Sequence, residues 1–236
     1  MPRFGVFVVP PARNPFYRLG TSILGYDVRR EQAAHADNFI RAQLPDFDEE
    51  FVKRPQKHGI HCTVVAPQEC RIGDLPAIQY EMERILNCFA ASTQFKLSAA
   101  DDFVTYWGKK QQIAVLQYAA NPAMLMLHTL LVAQLAQYVV PDIDLPTQDV
   151  AHEYHRIHHF NYPFVFDGYT PHFTLLFPYK GNQHEAMQDA LYSLFGQFKQ
   201  MIVEGLCLMM QADKDTQWTI VHEFHRHEYP KEVDTQ

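Results

Sequence analysis

The stretch His61-Cys62-Thr63-Val64-Val65-Ala66-Pro67 returns 111 positions later as His172-Phe173-Thr174-Leu175-Leu176-Phe177-Pro178, so one pattern, His-x-Thr followed by three apolar residues and a proline, occurs twice. With 13 histidines and 11 threonines in 236 residues, composition alone yields about 0.6 His-x-Thr triplets, and a single copy would mean little. Both copies, however, open an apolar run rich in β-branched or aromatic residues, close on a proline and precede a helical pattern. It is this shared context that marks them as copies.

Working outward, the first half reads as a strand over 4–9, a break at Pro10-Pro11, a helix near Glu31 to Gln43, the His61 strand, a helix near Ile78 to Ala90 and a strand near Gln94. Asp74 is placed to cap the second of these helices, Pro76 suits its first turn, and Ile78, Met82, Ile85, Leu86 and Phe89 share a face. The order then restarts. Gln112 to Tyr118 alternates like a strand, Asn121-Pro122 opens a helix to about Tyr138, and the His172 strand follows. A helix capped by Asn182 with Glu185 and a strand from Met201 to Met209 complete the second unit. The opening strand and the motif histidine are 57 residues apart in one half (4 to 61) and 60 in the other (112 to 172), as an old duplication with drifting loops leaves them. The reading is one bilobal unit over 1–236, with α+β lobes of roughly 1–110 and 111–225. Pro141 to Thr170 is the least regular stretch, Trp218 to Phe224 adds a last strand, and 226–236 is a charged tail expected to fray.

Composition narrows the function. No run approaches the roughly 18 apolar residues of a membrane span, and the apolar start lacks a signal-peptide pattern, so neither membrane insertion nor export is expected. Cys62, Cys70, Cys88 and Cys207 have no Cys-x-x-Cys spacing, which favours buried free thiols in a reducing cytoplasm over disulfides or a zinc site. A formal net charge of -7 disfavours duplex nucleic acid but allows a small phosphate ester held by a few local donors.

In a strand, alternate side chains share a face, so His61 goes with Thr63 and His172 with Thr174. Two imidazoles flanking two hydroxyls suit a phosphodiester. Neutral imidazole takes a proton from water and imidazolium gives one to a leaving alkoxide near the unperturbed pKa of about 6.5. Threonine hydroxyls and backbone N–H groups then hold the non-bridging oxygens. Taken singly, each histidine is better read as a structural donor. As a matched pair on matched elements, His61, Thr63, His172 and Thr174 are read as catalytic, with no metal or cofactor required.

These residues resemble the two signature motifs of the 2H phosphoesterase superfamily, in its phosphonate-metabolism-associated branch above all. The likeness spans most of the chain, through R-F-G-V-F-V-V-P-P, F-Y-R-L-G and L-G-Y-D at the start, H-G-I-H-C-T-V-V-A-P in the middle and Y-P-F-V-F-D-G-Y-T-P-H-F-T-L late. It implies a bilobal α+β fold of two pseudo-symmetric antiparallel sheets facing a central cleft, helices outside. It also implies a metal-independent hydrolase of small cyclic phosphodiesters, such as nucleotide or ribose cyclic phosphates. The chain departs from the branch at His58, Val65 and Gln68, where tyrosine, lysine and phenylalanine are usual.

Arg18, Lys57, Tyr169, Phe177 and Tyr179 are candidates for holding the substrate. The first two, with Lys53, Arg54 and Lys180, offer positive charge, and the aromatics border the second motif. His152, His155, His158 and His159 look like a metal site and make a third rival reading, but lack a carboxylate or thiol partner at a fixed spacing and are better read as a solvated or substrate-rim segment. His222-Glu223-Phe224-His225-Arg226 has arginine where a zinc protease motif needs its second histidine. Two further functions fit the same motifs: a nucleotide- or phosphate-binding module that does no chemistry, and an RNA-end-processing diesterase or ligase.

Overall fold

The computed structural model describes residues 1–141 and 151–225. In chain order the elements are β1 (Arg3–Val8), α1 (Pro15–Leu24), the ribbon β2 (Tyr26–Asp27) and β3 (Gln32–Ala33), α2 (Asn38–Arg41), α3 (Lys53–Gln56) and β4 (Cys62–Glu69). Next come α4 (Leu75–Leu86), β5 (Lys96–Trp107), β6 (Ile113–Ala120), α5 (Pro122–Leu135) and α6 (Ala151–Phe160). The chain continues with β7 (His172–Leu176), α7 (His184–Phe195), β8 (Gln200–Ile202), β9 (Gly205–Gln211) and β10 (Thr219–His225). The tail beyond 225 and residues 142–150 of the irregular stretch lie outside the described residues.

Eight strands run in the order β10-β9-β1-β4-β7-β6-β5-β8, every neighbouring pair antiparallel. The fold is α+β, and the two expected sheets meet at β4 and β7 through one residue pair, Cys62 opposite Phe173. The motif strands are therefore the seam. The four strands on each side of the seam do not follow the chain's halves. β5 pairs with β6 beside the second motif, while β9 and β10 join β1 beside the first. The reason is local: β5 and β6 are joined by a short turn with Gly108 at φ 87°, and a hairpin closes more readily than a crossover. The third strand of each repeat thus crosses to the other side, which preserves the symmetry of the order.

Both motif strands alternate as read. Cys62, Val64, Phe173 and Leu175 are buried, and Thr63, His172 and Thr174 are half-buried on the other face. Phe173 anchors the buried side, its ring 4.7 Å from Phe16 of α1 and 5.7 Å from Tyr118 of β6.

The helix expected over 31–43 is mostly absent, since only Asn38–Arg41 are helical there. The main N-terminal helix is α1, and its local signals are strong. The Asn14 side chain accepts the Phe16 N–H, Pro15 fills the first turn, and Gly25 ends it at φ 75°. Gly20 lets this helix close on Ile60, whose Cγ1 would lie 2.6 Å from an added Cβ. That contact fixes the segment leading into His61. The caps expected from Asp74 and Asn182 are not made. Asp74 has helical φ and ψ after a 3-10 turn, so its side chain cannot reach forward, and α7 starts two residues after Asn182, behind Gln183. Cys62, Cys70 and Cys207 are buried free thiols as expected, whereas Cys88 is exposed. Among the described residues no helix is long and apolar enough to cross a membrane.

Candidate active site

Each motif histidine is held by the carbonyl two residues before it. Nδ1 of His61 lies 2.9 Å from the Gly59 oxygen, and Nδ1 of His172 lies 2.9 Å from the Thr170 oxygen. A carbonyl only accepts, so Nδ1 carries the hydrogen in the neutral ring and Nε2 holds the lone pair. Different residues produce this same device. In the first motif Gly59 adopts φ 68° to bring its carbonyl round, and in the second Pro171 stands between Thr170 and His172.

Beyond Cys62 and Phe173 the motif strands part, and the carbonyls left along β4 find other partners. The Tyr169 hydroxyl donates to the Thr63 carbonyl at 3.1 Å, and His128 Nδ1–H of α5 donates to the Val64 carbonyl at 2.7 Å. The Tyr169 and His128 rings stack at 3.9 Å and 6°. Into this opening falls a cavity of about 850 Å³ lined by Thr63, His172 and Thr174, with Tyr106, Trp107, Gln117, Tyr162, Phe164, Tyr169 and Phe177 among its walls. Trp107 lies 4.3 Å from the His172 ring and donates its indole N–H to Gln117 at 3.0 Å; Gln117 faces His172 across β6 and β7.

His61 does not itself line this cavity. Its ring packs on the edge of Phe7 at 5.0 Å and stacks on His58 at 4.8 Å. Burial pushes its pKa down to about 4, against the pull of the Gly59 carbonyl, and the nearby His172 charge lowers it further. Burial lowers His172 as well, opposed by Thr170. Both therefore titrate below the ordinary histidine value expected from sequence. His128, lowered to about 4 by burial, differs in one respect: its Nε2 accepts the Phe166 N–H at 3.0 Å, so both ring nitrogens are committed. Nε2 of His61 and of His172 has no hydrogen bond to protein among the described residues.

Tyr169 and Phe177 line the cavity wall, Phe177 with the Arg54 guanidinium 4.6 Å over its ring. Three candidates lie elsewhere. Arg18 is exposed on α1 and borders a separate cavity of about 230 Å³ with Tyr17, Thr21, Asp27 and Arg30. Lys57 donates to the Lys214 carbonyl at 3.2 Å and pairs with Asp215 at 3.7 Å. Tyr179 is buried against Phe51, Tyr106 and His184, one layer behind the cavity wall. For Lys57 and Tyr179, a residue near a motif in the chain need not share its face; Arg18 was a candidate for its charge alone, which does not say where it sits. Trp107 and His128 were missed. The signal for His128 was a lone imidazole inside an apolar helix; for Trp107 only its position at the end of a strand was available. Among the described residues no three His, Cys, Asp or Glu side chains converge as a metal group would need; the His152 side chain lies outside that description.

Comparison with known proteins adds the fold's kinship. A crystal structure of E. coli LigT complexed with 3'-AMP is similar over 95% of this chain and 98% of its own, with a TM-score of 0.51 and 15% identity. A crystal structure of a phosphoesterase covers the same shares at a TM-score of 0.48 and 14% identity. Kluyveromyces marxianus Usb1 gives 0.41 and 8%, over 93% of this chain and 98% of its own. At such identity the LigT likeness is one of fold, and the fold is that of the 2H phosphoesterases. No curated protein sequence matches. The family model described as "Protein of unknown function (DUF1045)" matches residues 93–219, more than half of the chain and including the second motif. The protein therefore belongs to the DUF1045 family.

Proposed function

We propose that the protein is a metal-independent phosphoesterase that hydrolyses a small cyclic phosphodiester, a nucleotide or ribose cyclic phosphate, with His61 and His172 as its acid–base pair. One observation carries this reading. The two motif histidines share one backbone clamp, Nδ1–H on the carbonyl two residues back, on strands that meet at Cys62 and Phe173. That clamp keeps Nε2 of each ring for proton transfer.

In the proposed reaction, neutral His61 takes a proton from water through Nε2 as the water oxygen bonds to phosphorus. His172, protonated, gives its Nε2 proton to the departing ester oxygen as the P–O bond breaks. The ring opens to a phosphomonoester, and the histidines exchange protons with solvent before the next turnover. Thr63 and Thr174 hold the non-bridging oxygens, an interaction that strengthens most as charge builds on them. A bound phosphate anion favours imidazolium, which offsets the lowered pKa of His172 at the moment its proton is needed. The aromatic and aliphatic walls suit the organic part of a compact ester, and a polyanion would need a basic stripe instead.

Incubating the purified chain with a panel of cyclic phosphates, with and without excess chelator, tests the reading. Ring opening at equal rates in both conditions is expected. Binding without turnover would favour a module that keeps the cleft and does no chemistry.

A further inference from the structure

The clamp is common to both motifs, yet among the described residues only the first is joined by a further imidazole. Gly59 turns the chain at φ 68°, and His58 comes to stack on His61 with ring centroids 4.8 Å apart and planes 25° apart. His58 also stacks on Trp218, at 4.9 Å and 20°. Phe7 meets all three rings edge-on, at 6.1 Å for His58, 5.0 Å for His61 and 5.5 Å for Trp218. This platform is fixed. Phe7 and Trp218 are fully buried, the Trp218 backbone N–H donates to the Lys57 carbonyl at 2.8 Å, and the Tyr26 hydroxyl donates to the Trp218 carbonyl at 3.2 Å.

Building on the proposed acid–base pair, we propose that His58 is a positioning residue. Stacked on Trp218, its ring fixes the His61 imidazole and covers its ring face against bulk water, leaving Nε2 to the reacting water, which assigns proton uptake to His61 and proton delivery to His172. Among the described residues nothing comparable flanks His172, whose neighbour Trp107 lies at 56° on the wall of the open cavity.

Charge favours the same assignment. Arg3 from β1, Lys57 beside His58 and His172 from β7 all bear on this cluster, with Glu69 acting on Arg3 and Asp215 on Lys57. Cys62 points to the other face, its thiol pushed up to about 12 by burial, and Tyr169 is likewise held neutral. Burial, then His61, Arg3 and Lys57, keep His58 well below the ordinary histidine value. His58 acts on His61 through the stack, by covering its ring face against bulk water.

The test follows the His61 ring by NMR titration of the full chain without substrate, its signal assigned by loss in His61→Gln. His58→Phe keeps a ring without a titratable group and should leave the His61 midpoint within roughly half a unit. His58→Ala admits water and should raise it by about one unit or more. The acid limb of kcat/KM should move to higher pH by the same amount. Trp218→Leu, which withdraws the platform, should raise the midpoint by a smaller amount and keeps the proposal testable if His58→Ala does not fold. An unchanged midpoint in His58→Ala or Trp218→Leu, or an equal rise in His58→Phe, overturns the positioning role. A midpoint that moves as stated in a protein that opens no cyclic phosphate supports the role and overturns the phosphodiesterase reading instead.

Discussion

The two motifs are alike in backbone and unlike in surroundings. At His172 the ring borders a cavity of about 850 Å³ beside Trp107; at His61 it is closed in by Phe7 and His58. The repeated motif accounts for the first fact, since strand alternation and a carbonyl two residues back occur at both copies. Walls come from elsewhere in the chain. Those of His61 are supplied by β1 and the entrance to β10, and those of His172 by β5, β6 and the segment before β7. Burial lowers the pKa of both rings, to about 4 at His61.

The largest expected effect falls on the pair itself. His61→Ala and His172→Ala should each lower kcat/KM by on the order of 10² to 10⁴-fold. Their stabilities should differ, because His61 is packed among rings and His172 faces a cavity. Denaturant unfolding should find His61→Ala less stable than His172→Ala by about 1 kcal/mol. Equal stabilities would erase the difference between a closed and an open motif.

His128 supplies the contrast with a structural imidazole. Replacing it by leucine strands the Val64 carbonyl and the Phe166 N–H and should cost about 2–4 kcal/mol, with kcat changed far less than in the motif variants. The same residue has a pH signature. Its folded pKa is depressed to about 4, so between about 4 and the unfolded value near 6.5 the unfolded chain binds more protons. Stability is then lost as pH falls through that window, by roughly 3 kcal/mol at most from this group. Urea unfolding across pH 7 to 4 should show the slope, and His128→Leu should flatten it.

How much of this was legible in the sequence depended on periodicity. The motif strands and their faces were readable because an apolar residue alternates with a polar one over a few positions and the whole pattern repeats. α4, α5 and β10 were readable for similar local reasons. α1 was hidden behind the prolines at 10, 11 and 15, the last of which starts a helix, as its Asn14 cap shows. The seam was not legible, since which strands pair is decided by long-range packing. Trp107 and His128 reach the site only through that pairing. The His58 stack depends on one left-handed glycine and on Trp218, 160 residues further along.

Smaller effects sharpen the picture at its edges. Trp107→Ala should raise KM about 3 to 10-fold, the scale of one aromatic contact, with a lesser change in kcat. Arg18→Ala, at a cavity that shares no lining residue with the main one, should change kcat/KM by less than about 2-fold. A tenfold loss there would join the two cavities functionally and undo their separation.

The most direct measurement is the pH dependence of kcat/KM in excess chelator, for the unaltered protein and for both histidine variants. A base works above its pKa and an acid below its own. With His61 held near 4 and His172 lowered from 6.5, the unaltered protein should trace a bell centred on the acid side of neutrality. The acid limb should vanish in His61→Ala and the alkaline limb in His172→Ala. A bell that keeps both limbs in either variant, or activity lost to chelator and restored by a divalent metal, would contradict the account.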